Sequence, residues 1–226
     1  MSVSSNKQIV TDGLVFYTDP ANELSYIGTG TDLKDIVGGY DGALVNTPTY
    51  STDNGGIFDF NGTNEHVDCT SFVIPAEITV SAWINPDQLS SARMINASDN
   101  SNTGKRNWQL RTNTDGAVTA IAFHASGNIQ LTTTESLSVG AWRMVSFTTD
   151  NTNLKVYFDG VEKATVAFPH DMKGNGVTGD LLLGARRSTN IADRFNGKQG
   201  PTMVYDRGLS AAELLSNYNS QKDRFI

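Results

Sequence analysis

Three histidines, His66, His124 and His170, and a single cysteine, Cys69, are all that the chain offers for nucleophilic or zinc chemistry. Neither chemistry finds the spacing it needs, because CxxC, HxxxH, HExxH and Gly-x-Ser-x-Gly are all absent. Cys69, in Val-Asp-Cys-Thr, follows an alternating run and reads as a buried thiol acting as a small hydrophobe. His124 follows the apolar run Ala120-Ile-Ala-Phe123 and reads as a satisfied histidine at a strand end. Gly38-Gly39 and Gly174-Asn-Gly176 lack the strand-loop-helix surroundings of a phosphate cradle, so they read as turns.

Glycoside hydrolysis needs two carboxyls across a cleft, about 5 Å apart for retention and up to about 9.5 Å for inversion. A sandwich enzyme supplies them from one strand as Glu-x-Asp-x-Glu or a near variant, and that pattern does not occur here. The nearest sets are Asp59, Glu65 and Asp68, split by the turn Asn61-Gly62, and Asp159 with Glu162 at a hairpin. The chain therefore reads as a non-enzyme, with a divergent hydrolase using Asp59, Glu65 and Asp68 as an alternative. Calcium is the one cofactor suggested, at oxygen-rich turns beginning at Asp59 and around Asp19 with Asn22. An Asx turn before Pro20-Ala21 accounts equally for the second cluster.

The elements that would position such groups are mostly strands. Thr occurs 24 times and Asn 20 times in 226 residues, a bias toward pleated strands and polar turns. Ile78-Thr-Val-Ser-Ala-Trp-Ile84 alternates with period two, which places Ile78, Val80, Ala82 and Ile84 on one face and Thr79, Ser81 and Trp83 on the other. Similar runs lie at Leu14 to Tyr17, Ile57 to Phe60, Trp108 to Arg111, Val118 to Phe123, Trp142 to Thr148, Leu154 to Phe158, Leu181 to Leu183 and Thr202 to Tyr205. Asp159-Gly160 predicts a type I′ hairpin, and Asp115-Gly116 and Ser126-Gly127-Asn128 extend a meander. One helix is expected from Leu209 to Tyr218. Ser210 and Glu213 form its capping box, Leu209 and Leu214 its staple, and Leu214, Leu215 and Tyr218 its buried face.

These features predict an all-β fold, a two-sheet antiparallel jelly-roll sandwich with one short C-terminal helix. Residues 1–226 read as one domain with short extensions at about 1–8 and 221–226 that suit anchoring. The stretch from Tyr26 to Thr52 has no strong periodicity, and such a loop is either functional or held by packing. A net charge of −7 with no basic cluster argues against nucleic acid as a partner, and no apolar run is long enough to insert into a membrane. The first residues lack the charged start and apolar stretch of a secretory signal.

In order along the chain, the pieces resemble the laminin-G-like, concanavalin A-like lectin/glucanase jelly rolls. The resemblance runs from Gly13-Leu-Val-Phe-Tyr-Thr-Asp19 through Phe58 to Asp68, Ile78 to Pro86, Trp142 to Phe147, Leu154 to Gly160 and Leu182-Leu-Gly184 to Tyr205 to Leu214. It implies a binding module more than an enzyme. Leu24-Ser-Tyr26, the Gly-Thr-Gly turn after it and Asn217-Tyr-Asn are similar to domains of tailed-bacteriophage structural proteins. The resemblance thus implies a lectin-like head-decoration, fibre or tail adhesin subunit on the virion exterior, with a glycan or cell-surface polysaccharide as partner. Other virion proteins and further copies of the chain are additional partners. A purely structural virion protein and a secreted carbohydrate-binding module are the alternatives. On this scaffold a sugar would meet loop-borne aromatic faces with polar neighbours. Arg106, Asn107 and Trp108, after the polar turn from Asn100, form the expected carbohydrate-binding edge, with Tyr26 and Tyr40 as second candidates. Trp83 and Trp142 are expected to pack within the sandwich.

Overall fold

The computed structural model describes residues 8–89, 93–98, 106–186 and 193–226. Residues 1–7 of the expected N-terminal extension, and residues 100–105 of the polar turn before Arg106, lie outside the described residues. The strands are β1 Leu14–Thr18, β2 Asp32–Leu33, β3 Gly42–Val45, β4 Thr49–Ser51, β5 Ile57–Asn61, β6 His66–Val73, β7 Ile78–Pro86 and β8 Arg93–Ser98. They continue with β9 Arg106–Thr112, β10 Ala117–His124, β11 Gly127–Ser136, β12 Arg143–Thr149, β13 Asn153–Phe158, β14 Val161–Ala167, β15 Thr178–Leu183 and β16 Asn196–Tyr205. The helix α1 spans Ala211–Gln221.

Two antiparallel eight-stranded sheets result. Sheet A runs β14-β13-β12-β7-β16-β5-β4, with β1 also paired to β16. Sheet B runs β11-β10-β9-β8-β15-β6-β3-β2. Period-two alternation sends Ile78, Val80, Ala82 and Ile84 of sheet A and Val118, Ala120 and Ala122 of sheet B into one inter-sheet core. The hairpin between β13 and β14 turns at Asp159 and Gly160 with φ of 55° and 79°, the two positive values of a type I′ turn. Burial pushes the Cys69 thiol well above its ordinary range, consistent with a core residue.

The mixed face of β7 is also buried, because the C-terminal segment lies over it. Thr79 Oγ1 donates to the Arg207 carbonyl and accepts from the Leu209 N–H, both at 2.8 Å. The Trp83 ring stacks on Tyr218 at 5.7 Å and on Phe225 at 4.4 Å, and its Nε1 donates to Gln221 Oε1 at 2.8 Å. Residues 221–226 are therefore part of the packed structure, in contrast to the extension expected there. Gln221 and Phe225 are buried, and Arg224 makes a bidentate pair with Asp19 at 2.7 and 3.1 Å.

Helix α1 starts with the expected capping box: the Glu213 N–H donates to Ser210 Oγ, and the Ser210 N–H donates to Glu213 Oε2. Its buried stripe differs from the expected one, since Leu215 is 42% exposed while Leu214, Asn217 and Gln221 face the sheet. Asn217 is satisfied at both amide atoms, and Gln221 at its oxygen alone. Asn217 donates to the Tyr205 hydroxyl and accepts from the Val10 N–H, and Gln221 receives the Trp83 indole.

Within the aperiodic stretch from Tyr26 to Thr52, one carboxylate gathers the segment after β2. Buried Asp35 accepts from the backbone N–H groups of Tyr17, Val37, Gly38 and Tyr40 at 2.9 to 3.1 Å. Those four bonds tie the loop to β1 without any hydrophobic periodicity.

Replacing Phe225 with Ala removes the ring under which Trp83 is buried and should destabilise the fold by about 3 kcal/mol, read from denaturant midpoints. Glu213 is held at about 2, chiefly by Arg207 and then by Ser210, against a rise from burial. The folded state thus keeps this carboxylate ionised where the unfolded chain takes up a proton. Its stabilisation is full above about pH 4.5 and is lost as pH falls toward 2. Glu213→Gln should lower the thermal midpoint at pH 7 and flatten its decline below pH 4.5.

Candidate functional site

The expected ligand edge is divided by the strand that carries it. Along β9, Trp108 and Leu110 point into the inter-sheet core, and Asn107, Gln109 and Arg111 alternate onto the outward face of sheet B. Trp108 is fully buried, meeting Phe72 edge-on at 5.8 Å, and offers no face to a sugar ring. The expectation for Trp108 is corrected by period two alone: neighbours in sequence cannot share a face of a strand.

The other half of that edge forms a polar layer. Register places Asp68 beside Leu182, and Gln109 beside Ile121, which in turn pairs with Gln130. Gln109 is fully buried, and neither its Oε1 nor its Nε2 has a hydrogen-bond partner. Asn107 donates through Nδ2 to the Lys173 carbonyl, leaving its Oδ1 buried and unpartnered. Arg111 Nε, Arg186 Nη1 and Arg194 Nε are further buried donors without an acceptor.

Arg186 also ion-pairs with Asp193 and lies near enough to Arg106 for their charges to oppose. Burial first, then Arg186, lowers the basicity of Arg106, and Asp193 acts against both. A buried polar atom left unpaired costs about 1–3 kcal/mol; four such atoms lie on this face of β9, at Asn107, Gln109 and Arg111, and others lie at Asn85, Gln199 and Gln221. Primary amides present a donor and an acceptor side by side, and so does each sugar hydroxyl.

The remaining expected residues have structural partners. Tyr26 is buried against Phe58 at 5.0 Å and Tyr50 at 5.1 Å, and its hydroxyl donates to the Gly30 carbonyl. Half-buried Tyr40 packs on Phe72 at 5.0 Å. Neither stands as a free platform.

Both suggested calcium positions are already met by cations of the chain. Asp19 holds the Arg224 guanidinium, at the side of an open cleft of about 890 Å³ that Asn22, Leu24 and Asn54 also line. Asp59 lies 3.7 Å from Lys198, and burial still raises its carboxyl above the ordinary range. Among the described residues no group of three or more His, Cys, Asp or Glu is set to hold a metal ion. The acids of the hydrolase alternative do not share a strand face either. Asp59 belongs to β5 of sheet A and Asp68 to β6 of sheet B, while Glu65 Oε2 accepts from the Asn61 N–H at 2.8 Å.

Of the expected site residues, Trp108 and Tyr26 lie in the core, Tyr40 packs on Phe72, Asp19 and Asp59 face Arg224 and Lys198, Arg106 lies near Arg186, and Asn107 binds the Lys173 carbonyl. Sequence reading missed Gln109 and Arg111, although the alternation of residues 106–112 already carried the signal. Arg186 and Asp193 come from a connection with no periodicity to betray them.

The sequence pattern of the concanavalin A-like lectin/glucanases superfamily, in its laminin G type, matches residues 61–215. No curated protein matches the chain in sequence. Among solved structures, domain 4 of AbnA, an extracellular GH43 arabinanase from Geobacillus stearothermophilus in complex with arabinotriose, superposes with a TM-score of 0.71 at 21% identity. That match covers 91% of this chain and 98% of the domain. The binding domain of Paraclostridial Mosquitocidal Protein 1 gives a TM-score of 0.69 at 14% identity, over 92% of this chain and 52% of that one. Trypanosoma rangeli sialidase gives 0.69 at 16% identity, over 99% of this chain and 36% of that one. The chain thus spans about half of the toxin binding domain and about a third of the sialidase, and at such identities the likeness is one of fold. With two stacked antiparallel sheets and a family pattern running from β5 to α1, the chain belongs to the concanavalin A-like lectin/glucanase superfamily.

Proposed function

We propose that this protein is a non-catalytic, lectin-like module that binds a glycan on the outward face of sheet B through Asn107, Gln109 and Arg111, with Arg106 and Arg186 beside them. The observation that carries the reading is Gln109, a fully buried amide whose donor and acceptor are both unused. Gln109 has no solvent exposure, so filling its bonding capacity requires local opening at β9. Half-buried Arg106 and Arg111, at the two ends of the strand, make the first contact.

Two further points support binding without cleavage. The acids nearest to a hydrolytic set stand on different sheets, and the arabinanase domain that matches almost end to end was solved with arabinotriose.

A site of amides and guanidiniums with no exposed aromatic face holds a single glycan weakly, so useful retention needs many copies acting together. The motifs Leu24-Ser-Tyr26 and Asn217-Tyr-Asn, similar to those of tailed-phage structural proteins, favour the exterior of a phage particle as the place where copies are gathered. Attachment of the particle to host surface polysaccharide follows from that arrangement.

A glycan array probed with monomeric and multimerised protein tests the reading; signal in the multimer is expected, and silence in both formats overturns it. Gln109→Leu separates function from folding. It should raise the thermal midpoint, by relieving unmet polar burial, and reduce array binding at least about tenfold. Trp108→Phe, which retains an inward ring, should leave binding within about twofold, as expected for a residue outside the site. Equal loss in both variants would reject the assignment of the face.

A further inference from the structure

His124 ends β10, and His170 stands in the connection 168–177 between β14 and β15. Their rings are stacked, with centroids 3.9 Å apart and planes within 11°. Phe168 meets both edge-on, at 6.0 and 5.6 Å. The Ser126 N–H donates to His124 Nδ1 at 3.3 Å, which leaves the ring proton to Nε2 in the neutral form. The same connection reaches the candidate site three residues later. The Lys173 N–H donates to the Phe123 carbonyl at 2.6 Å, and the Lys173 carbonyl accepts from Asn107 Nδ2. Gly174 sits so close that a Cβ there would lie 2.7 Å from Asn107 Nδ2. The orientation of the Asn107 amide, and with it the buried acceptor Oδ1, is therefore set by a loop that is held by backbone bonds to Thr152, Ala76, Phe123 and Ile74 and, at His170, by the histidine stack.

We propose that His124 and His170 form a pH-operated clamp that holds the carbohydrate site in its binding form at neutral pH and releases it in acid. The inference rests on reading the outward face of sheet B as the glycan site, and it adds regulation to that site. Two neutral imidazoles stack without penalty, and one proton turns the pair into a cation over an aromatic ring, which is tolerated. A second proton places two like charges 3.9 Å apart.

Burial, and then His170, lowers the proton affinity of His124. His124 thus binds fewer protons in the folded protein than in the unfolded chain just below about pH 6.5, so the closed clamp is favoured above that pH and weakens as pH falls below it. The groups that face the pair are Phe168 from the connection, Ser126 and Gly127 from the turn into β11, and Asn107 from β9 through Lys173, none of which titrates in this range. Asp171 and Lys173 flank His170 in the chain, and His170 is the titratable group that acts on His124.

Two readouts test the clamp. In a 15N-labelled sample, the Asn107 side-chain amide signals should shift with a midpoint below about pH 6.5 in the natural protein. They should not move in His124→Phe or His170→Phe, which keep a stacked ring and cannot take up the second proton that opens the clamp. Static Asn107 signals, or the same shift in both variants, overturn the clamp. The array repeated at about pH 5 should show binding at least about fivefold weaker than at neutral pH in the natural protein, and unchanged in the variants. Equal binding at both pH values also overturns the clamp. An array silent at both removes the glycan reading, while the Asn107 signals still decide on the clamp.

Discussion

Every one of the nine residues of β7 is buried, and that requirement organises the molecule. A strand sends alternate side chains to opposite faces, so a central strand with no exposed residue demands cover on both. Sheet B supplies one cover through the shared apolar core. The chain supplies the other by returning its C-terminus across the outside of sheet A, where Trp83 is enclosed by Tyr218, Gln221 and Phe225. The pairing of Arg224 with Asp19 then fastens that return to the loop after β1. The C-terminal segment thereby covers the centre of sheet A, where Asn85, Gln199 and Gln221 each keep one buried polar atom without a partner, while on the outward face of β9 in sheet B the amide of Gln109 keeps both.

That face departs from ordinary protein interiors in a specific way. On the helix, Asn217 uses both its amide nitrogen and its oxygen, whereas Gln109 uses neither, and Asn107 and Gln221 each use one of two. The same amide side chains occur in both places, so composition does not distinguish them. The difference is that Asn217 completes an internal network, whereas the amide of Gln109 takes part in none. Groups that fold into place while lacking a partner lower stability, and they persist where something outside the chain completes them.

Much of this was legible in the sequence, and the boundary of legibility is physical. Alternation exposed the strands of the core, Asp159-Gly160 exposed its hairpin, and Ser210 with Glu213 exposed the helix start, because each is a local pattern with a local cause. Short strands such as β2 and β4 were hidden, since two or three residues are too few to show a period of two and their order comes from pairing with β3 and β5. The burial of Leu214, Asn217 and Gln221 in place of Leu215 depends on how the helix rolls against sheet A, which no helical wheel specifies. For the site, treating Arg106, Asn107 and Trp108 as one edge overlooked that a strand separates consecutive residues by its full thickness. The stacked histidines lie 46 positions apart in sequence and only the closure of the sandwich brings them together.

The central claim is that the amide of Gln109 is completed by a glycan, and side-chain 15N resonances report on it directly. As a glycan identified on the array is added to labelled protein, the Gln109 and Asn107 amide signals should move together and saturate. Shifts confined to the Asp19–Arg224 cleft or to the loop around Tyr26, with Gln109 stationary, would contradict the account.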